Sequence, residues 1–209
     1  MDAKRRIVFL HGLGQGPDSW QPVACQLAGA DAVIPDLGAM LAGRAEYQAL
    51  REALFAVCDA EKAPLHLCGL SLGGVLALDY AAYRPERIAS LVLIGTPCAM
   101  PKRLLKIQDL LFALMPRKLF TGLGMTKRQV RGLAASMAEV DIPALLPRVR
   151  CRTLVLCGEK DRANRKAARQ LQEGLSNAAM QTIDGAGHEA NREAPEALSA
   201  ALAAFYGAE

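Results

Sequence analysis

The sequence predicts an α/β domain: a mostly parallel six-stranded sheet with helices on both faces and a helical insertion. Three observations predict it. Short apolar runs alternate with longer helical patterns along the chain. The runs are continuously apolar rather than alternating, as in strands buried on both faces of a parallel sheet. One interval between runs, from Ile94 to Thr153, holds almost 60 residues, far more than a crossover needs.

Residues 6–10 (RIVFL) read as the first strand and residues 19–28 as the helix after it. Residues 32–34 form a short second strand that stops at Pro35, which cannot donate to a ladder. Residues 45–60 are an amphipathic helix. Residues 65–70 (LHLCGL) are the third strand, followed by an apolar helix to about Tyr83. Residues 88–94 and 153–157 are the fourth and fifth strands. A helix over 164–175, a strand over 180–183 and a helix over 195–205 complete the pattern. Crossovers joining such strands are right-handed.

The long interval carries two helical patterns, PKRLLKIQDLLFALMPRKLF and TKRQVRGLAASMAEV, bounded by Pro101, Pro116, Gly122, Gly124 and Pro143. We therefore expect a cap of two to four helices over residues 98–149, inserted in a single domain spanning 1–209. The positive charge concentrates there. Residues 101–150 hold ten Lys or Arg against three Asp or Glu, while the whole chain carries only +4.

Composition narrows the function. An apolar content of 52% is too high for a disordered chain. The modest net charge gives no ground for nucleic-acid binding. No uncharged apolar run reaches 18 residues, so stable membrane insertion is not expected. The apolar run before His11 has only four residues, too few for a signal-peptide core, which points to the cytoplasm. The six cysteines are scattered, mostly within apolar runs and without a C-x-x-C pair. They read as reduced core residues rather than disulfides or metal ligands. No metal or organic cofactor is expected.

Gly69-Leu70-Ser71-Leu72-Gly73 matches G-x-S-x-G between a strand and a helix. A turn that tight strains the serine backbone and presents its hydroxyl above the sheet. It needs glycine wherever a Cβ would strike the neighbouring strand or helix. The simpler reading is a serine capping the helix that follows. A serine hydroxyl is a weak nucleophile, so a base and an orienting acid should accompany it. His66 lies inside a strand and His11 at the end of one, and both read as structural. His188, in the loop DGAGHEANREAPE after the last strand, is the candidate base. Asp161, at the end of the fifth strand in CGEKD, is the candidate acid, ahead of Glu159 and Asp184. Oxyanion donors would be the N–H groups of Leu72, after the nucleophile, and Leu13, in the glycine-rich loop HGLGQGP. That loop does not match G-x-G-x-x-G, and nucleotide binding is not expected.

With these residues in view, the chain resembles the α/β-hydrolases. HGLG, PDLG, GLSLGG, RPERIASLVLIGTP, GEKD and GAGHEANREAPE occur in that family's order and cover nearly the whole chain except the cap. The resemblance implies Ser71 as nucleophile, His188 as base and Asp161 as its orienter, with Leu13 and Leu72 as oxyanion donors. It departs in two places. The first strand begins about five residues in, without the family's preceding hairpin, so six parallel strands are expected rather than eight. After Pro35 the chain reads DLGAMLAGRA, without the family's glycine- and serine-rich loop.

The implied activity is hydrolysis of small carboxylic esters or thioesters through an acyl-enzyme, with a small acyl molecule as substrate. Three alternatives stay open: carbon–carbon hydrolysis, perhydrolysis, and a binding or receptor role. A fourth is a lyase. The C-terminal third resembles the menaquinone-pathway enzyme that eliminates pyruvate, but Val75 stands where that enzyme has a carboxylate-binding arginine. In the cap, Leu104, Ile107, Leu111 and Leu114 share one helical stripe. It reads either as packing over the sheet or as an acyl pocket rimmed by cations such as Lys102, Arg117 and Arg131. The oligomeric state has no signature in the sequence.

Overall fold

The computed structural model describes residues 5–99 and 125–207. Six strands form one sheet: β1 (Arg5–Leu10), β2 (Ala30–Val33), β3 (Leu65–Leu70), β4 (Ile88–Ile94), β5 (Arg152–Gly158) and β6 (Ala178–Ile183). Their order is β2-β1-β3-β4-β5-β6, and every pairing is parallel. The six parallel strands expected from the sequence are present. Over the described residues the helices are α1 (Gln21–Ala24), α2 (Leu37–Met40), α3 (Tyr47–Asp59), α4 (Leu72–Tyr83), α5 (Lys127–Met137), α6 (Ile142–Leu145), α7 (Arg165–Gly174), α8 (Ala190–Glu193) and α9 (Pro195–Gly207).

Successive side chains of a strand face opposite ways, so continuously apolar strands feed two cores. On one face Val8, Leu10, Leu67, Leu91, Leu93 and Val155 pack with α3, α4 and α7. On the other Ile7, Phe9, Leu70, Val92, Ile94 and Leu156 pack with Trp20, Val23, Leu198 and Leu202 of the α1 and α9 layer. The helix α4 is buried on all sides, from Leu72 to Ala82. Its one acid, Asp79, is held by Arg51 Nε at 2.7 Å and by the Tyr47 hydroxyl at 3.1 Å. That pairing ties α4 to α3.

One local reading needs correction. The helix expected over 19–28 is a 3-10 turn, Pro17–Trp20, followed by the short α1, which gives way to tighter turns bonded from the Gln26 N–H to Val23 O and from the Leu27 N–H to Ala24 O before the chain turns at Gly29 with φ +75°. The stretch after Pro35 contains α2, whose first turn is capped by Asp36 accepting from the Ala39 N–H. Of the expected cap, residues 100–124 lie outside the described residues, with the stripe Leu104–Leu114 and the cations Lys102 to Lys118. The remainder contains α5, with a Thr126–Gln129 capping box, then α6 and a 3-10 turn, Leu146–Arg148. The Ser136 hydroxyl accepts from the Tyr47 N–H at 2.7 Å, which fastens α5 to the start of α3.

After β1 the chain adds β2 on one side and then crosses to place β3 on the other. The C-terminal ends of β1 and β3 therefore flank a topological switch point, where open α/β sheets bind ligands. Leu13 and Ser71 lie just beyond those two ends.

Candidate active site

The turn at Ser71 is built by what glycine omits. A Cβ on Gly69 would lie 2.3 Å from Gly73 O, and one on Gly73 would lie 2.1 Å from Leu10 O of β1. Both are backbone collisions, so the pentapeptide spacing follows from the close approach of α4 to β1 and β3. Ser71 sits at φ +53° and ψ −112°, strained for a residue with a Cβ. It occupies the N-cap position of α4, yet its side chain makes no cap hydrogen bond. The capping reading is therefore not what the geometry shows. The Leu72 N–H opens the helix, ahead of its first internal bond from Val75 N–H to Ser71 O.

His188 and Asp161 meet at the same end of the sheet. His188 Nδ1 and Asp161 Oδ2 are 2.8 Å apart, with the aspartate side chain 5% exposed and the histidine 44%. With a carboxylate oxygen as the acceptor, Nδ1 is the donor nitrogen, which leaves Nε2 as the acceptor. Gly95, just past β4, lies against this pair. At φ +51°, a Cβ there would stand 3.0 Å from His188 Nδ1 and 3.3 Å from Asp161 Oδ2. Ser71 is bonded to the residue before Gly95, its N–H donating to Ile94 O at 2.9 Å. Asp161 and His188 are thus bonded directly, while Ser71 adjoins them through Ile94–Gly95. No hydrogen bond joins the Ser71 hydroxyl to His188 among the described residues.

Three further residues support the pair, and none stood out in the sequence. Asn164 Nδ2 lies 3.0 and 2.9 Å from the two Asp161 oxygens and 3.2 Å from His188 Nδ1. Asn164 is the N-cap of α7, but it turns its amide to the aspartate instead of capping. Glu193 accepts from the N–H groups of Gly187 (2.8 Å) and Glu189 (2.9 Å), so it grips the backbone on either side of His188. Gly158 admits the Gly187 carbonyl, where a Cβ would come within 2.1 Å.

The other candidates have other tasks. Glu159 accepts from the Gly185 N–H at 3.0 Å, and Asp184 is exposed. His66 is near the opposite end of β3 from Ser71, bonded to the Ser90 hydroxyl at 2.8 Å and edge-on to Tyr206. His11 is fully buried. Its Nε2 accepts from the Leu37 N–H (3.1 Å), so Nδ1 carries the proton and donates it to Gly12 O (3.0 Å). Burial lowers its pKa below the usual 6.5 and keeps the ring neutral. The same Gly12 carbonyl accepts from the Gln15 N–H at 3.1 Å. In a trans peptide the N–H lies opposite the C=O, so the Leu13 N–H points away from the His11 ring.

A cleft of about 790 Å³ opens elsewhere, beside the C-terminal half of α4, lined by Tyr47, Arg51, Asp79, Tyr83, Asp141 and Arg148 among others. None of the residues around Ser71 reaches it. All six cysteines are unpaired, and four are buried. Burial pushes the Cys151 thiol up to about 11, which suits packing rather than reactivity. Among the described residues, no helix is long and apolar enough to cross a membrane.

The sheet order, the strained turn after β3 and the acid–histidine pair beyond β5 and β6 define an α/β-hydrolase. The chain belongs to the alpha/beta hydrolase family, whose model matches residues 7–201. It is 37% identical over 97 residues to the pimeloyl-acyl-carrier-protein methyl ester esterase of Aromatoleum aromaticum, a match covering 44% of this chain and 38% of that protein. The chain thus matches about two fifths of the length of such curated relatives. In structure it resembles a thermophilic esterase from Thermogutta terrifontis, with TM-score 0.80, 21% identity and 98% and 90% of the two chains covered. It also resembles the enol-lactonase of Burkholderia xenovorans, with TM-score 0.80, 19% identity and 97% and 91% covered. Those two likenesses establish the fold.

Proposed function

We propose that this protein is a serine hydrolase that cleaves small carboxylic esters or thioesters through an acyl-enzyme. The observation that carries the proposal is the backbone of Ser71. A helix-capping serine is extended and spends its oxygen on the helix. Ser71 holds a conformation costing about 1–3 kcal/mol and keeps its hydroxyl out of the cap. Strain of that kind is retained where a nucleophile must be presented.

In this reading His188 Nε2 takes the Ser71 proton as Oγ attacks the carbonyl carbon. Asp161 holds the proton on Nδ1 and stabilises the imidazolium. The N–H groups of Leu13 and Leu72 receive the oxyanion. The imidazolium gives its proton to the departing alcohol or thiol. Water, deprotonated by His188, then attacks the acyl-enzyme, and Ser71 is regenerated as the acid leaves. The chemistry requires no metal or organic cofactor. Six unpaired cysteines support a reducing compartment, and we assign the protein to the cytoplasm. The lyase alternative lacks its anchor, since the apolar Val75 cannot pair with a substrate carboxylate. The named activity of the Aromatoleum relative makes a medium-length acyl methyl ester the first biological substrate to test.

The test is hydrolysis of p-nitrophenyl esters from acetate to palmitate by the wild type and Ser71→Ala. The proposal expects a single optimum of chain length and no turnover by the variant. Equal turnover by Ser71→Ala would overturn it.

A further inference from the structure

Two buried amides, Gln15 and Asn191, pair with each other across 176 residues of sequence. Gln15 is 3% exposed and Asn191 not at all. Gln15 Nε2 donates to Asn191 Oδ1 at 3.2 Å, and Asn191 Nδ2 donates to Gln15 Oε1 at 3.1 Å. Each amide also holds one backbone group. Gln15 Oε1 also accepts from the Gly12 N–H (3.2 Å), and Asn191 Nδ2 also donates to Ser19 O (3.2 Å).

A pair of apolar side chains of similar volume would join these segments without desolvating two amides. What an amide pair adds is direction. One of its bonds falls on Gly12, whose carbonyl is already held by His11 and by the Gln15 N–H. Gly12 is thereby fixed at both its N–H and its C=O, and the peptide that carries the Leu13 N–H is fixed with it. The other end of the pair is Asn191, three residues after His188, in the same short helix as Glu193. One run of hydrogen bonds therefore joins the backbone presenting Leu13 to the loop carrying His188.

We infer that Gln15 and Asn191 are positioning residues, a clasp that sets the oxyanion loop relative to the histidine loop. The inference rests on the hydrolase reading above. Oxyanion donors and base act on one tetrahedral centre, so their spacing matters most in the transition state. Loosening the clasp should lower kcat and leave KM nearly unchanged.

The experiment uses the full chain with Gln15→Met, Asn191→Leu and the double variant, assayed on p-nitrophenyl butyrate and by thermal unfolding, with Ser71→Ala as the control. Each single variant leaves one buried amide with only its backbone partner and should lower Tm. Each should also lower kcat about tenfold, with KM within about twofold of wild type, a fraction of what losing an oxyanion donor costs. The double variant fills the same space with apolar groups and leaves no amide half-paired, so it should regain part of the lost Tm, short of what losing the bonds to the Gly12 N–H and Ser19 O costs, but not the lost kcat. Recovery of wild-type kcat together with Tm would show that the pair only packs, and would overturn the inference. So would single variants with wild-type kcat. If the single variants do not fold, the kcat of the double variant decides in the same way. A wild type without Ser71-dependent turnover would overturn the hydrolase reading and the clasp together. Ser71-dependent turnover beside unaltered kcat in the variants would overturn the clasp alone.

Discussion

Gly95→Ala tests how tightly the fold holds the histidine–aspartate pair. At φ +51° an L-residue with a Cβ is strained, by about 1–2 kcal/mol. For a domain of this length that corresponds to a fall in Tm of about 2–8 °C. The new Cβ would also meet His188 Nδ1 at 3.0 Å, Cε1 at 3.1 Å and Asp161 Oδ2 at 3.3 Å. The pair must therefore retreat by a few tenths of an ångström. A displacement of 1 Å costs about a hundredfold in rate, so we expect kcat on p-nitrophenyl butyrate to fall about three- to tenfold. Gly29→Ala is the matched control. Its φ is +75°, and nothing lies within 4 Å of the added Cβ. It should lose comparable stability and keep its kcat. Wild-type kcat in Gly95→Ala, or an equal loss in Gly29→Ala, would refute the claim that Gly95 seats the pair.

Three further outcomes follow from the structure. Asn164→Ala and Asn164→Ser should each lower kcat severalfold, because neither side chain can donate to both Asp161 oxygens; wild-type kcat in both would show that Asn164 does not steady the pair. His11 has its pKa lowered by burial, so below pH 6.5 the unfolded chain binds a proton that the folded chain refuses. Stability should fall as pH drops through 6.5, by at most about 1.4 kcal/mol per pH unit from this group. Urea unfolding between pH 5 and 8 should show that slope flattened in His11→Gln. Asp79→Ala leaves Arg51 without its buried partner and should cost about 3–5 kcal/mol. Because Asp79 lies in the far half of α4 from Ser71, kcat of the folded protein should be unchanged.

Much of this was legible in the sequence because it is local. A continuous apolar run specifies a strand buried on both faces, and a G-x-S-x-G between strand and helix specifies the tight turn. Asp161 and His188 could be chosen because each follows a strand at its C-terminal end. Other features had no local signature. A four-residue helix such as α2 is too short to show periodicity, and the helix expected over 19–28 breaks into tighter turns after Ala24 that no residue there announces. Asn164 read as part of a helix, since an N-cap asparagine looks the same whether it caps or turns away. Gln15 and Asn191 find each other only after the whole sheet has formed. Gly95 carried a weak signal, a glycine directly after a strand, whose meaning depends on the histidine that folds against it.

The measurement that bears most directly on the central claim is a rapid-quench reaction of the wild type with p-nitrophenyl butyrate, followed by peptide mass analysis. The account predicts release of p-nitrophenol ahead of steady state and a butyryl group on the peptide containing Ser71, both absent from Ser71→Ala. Acylation of another residue, or steady turnover that survives in Ser71→Ala, would contradict it.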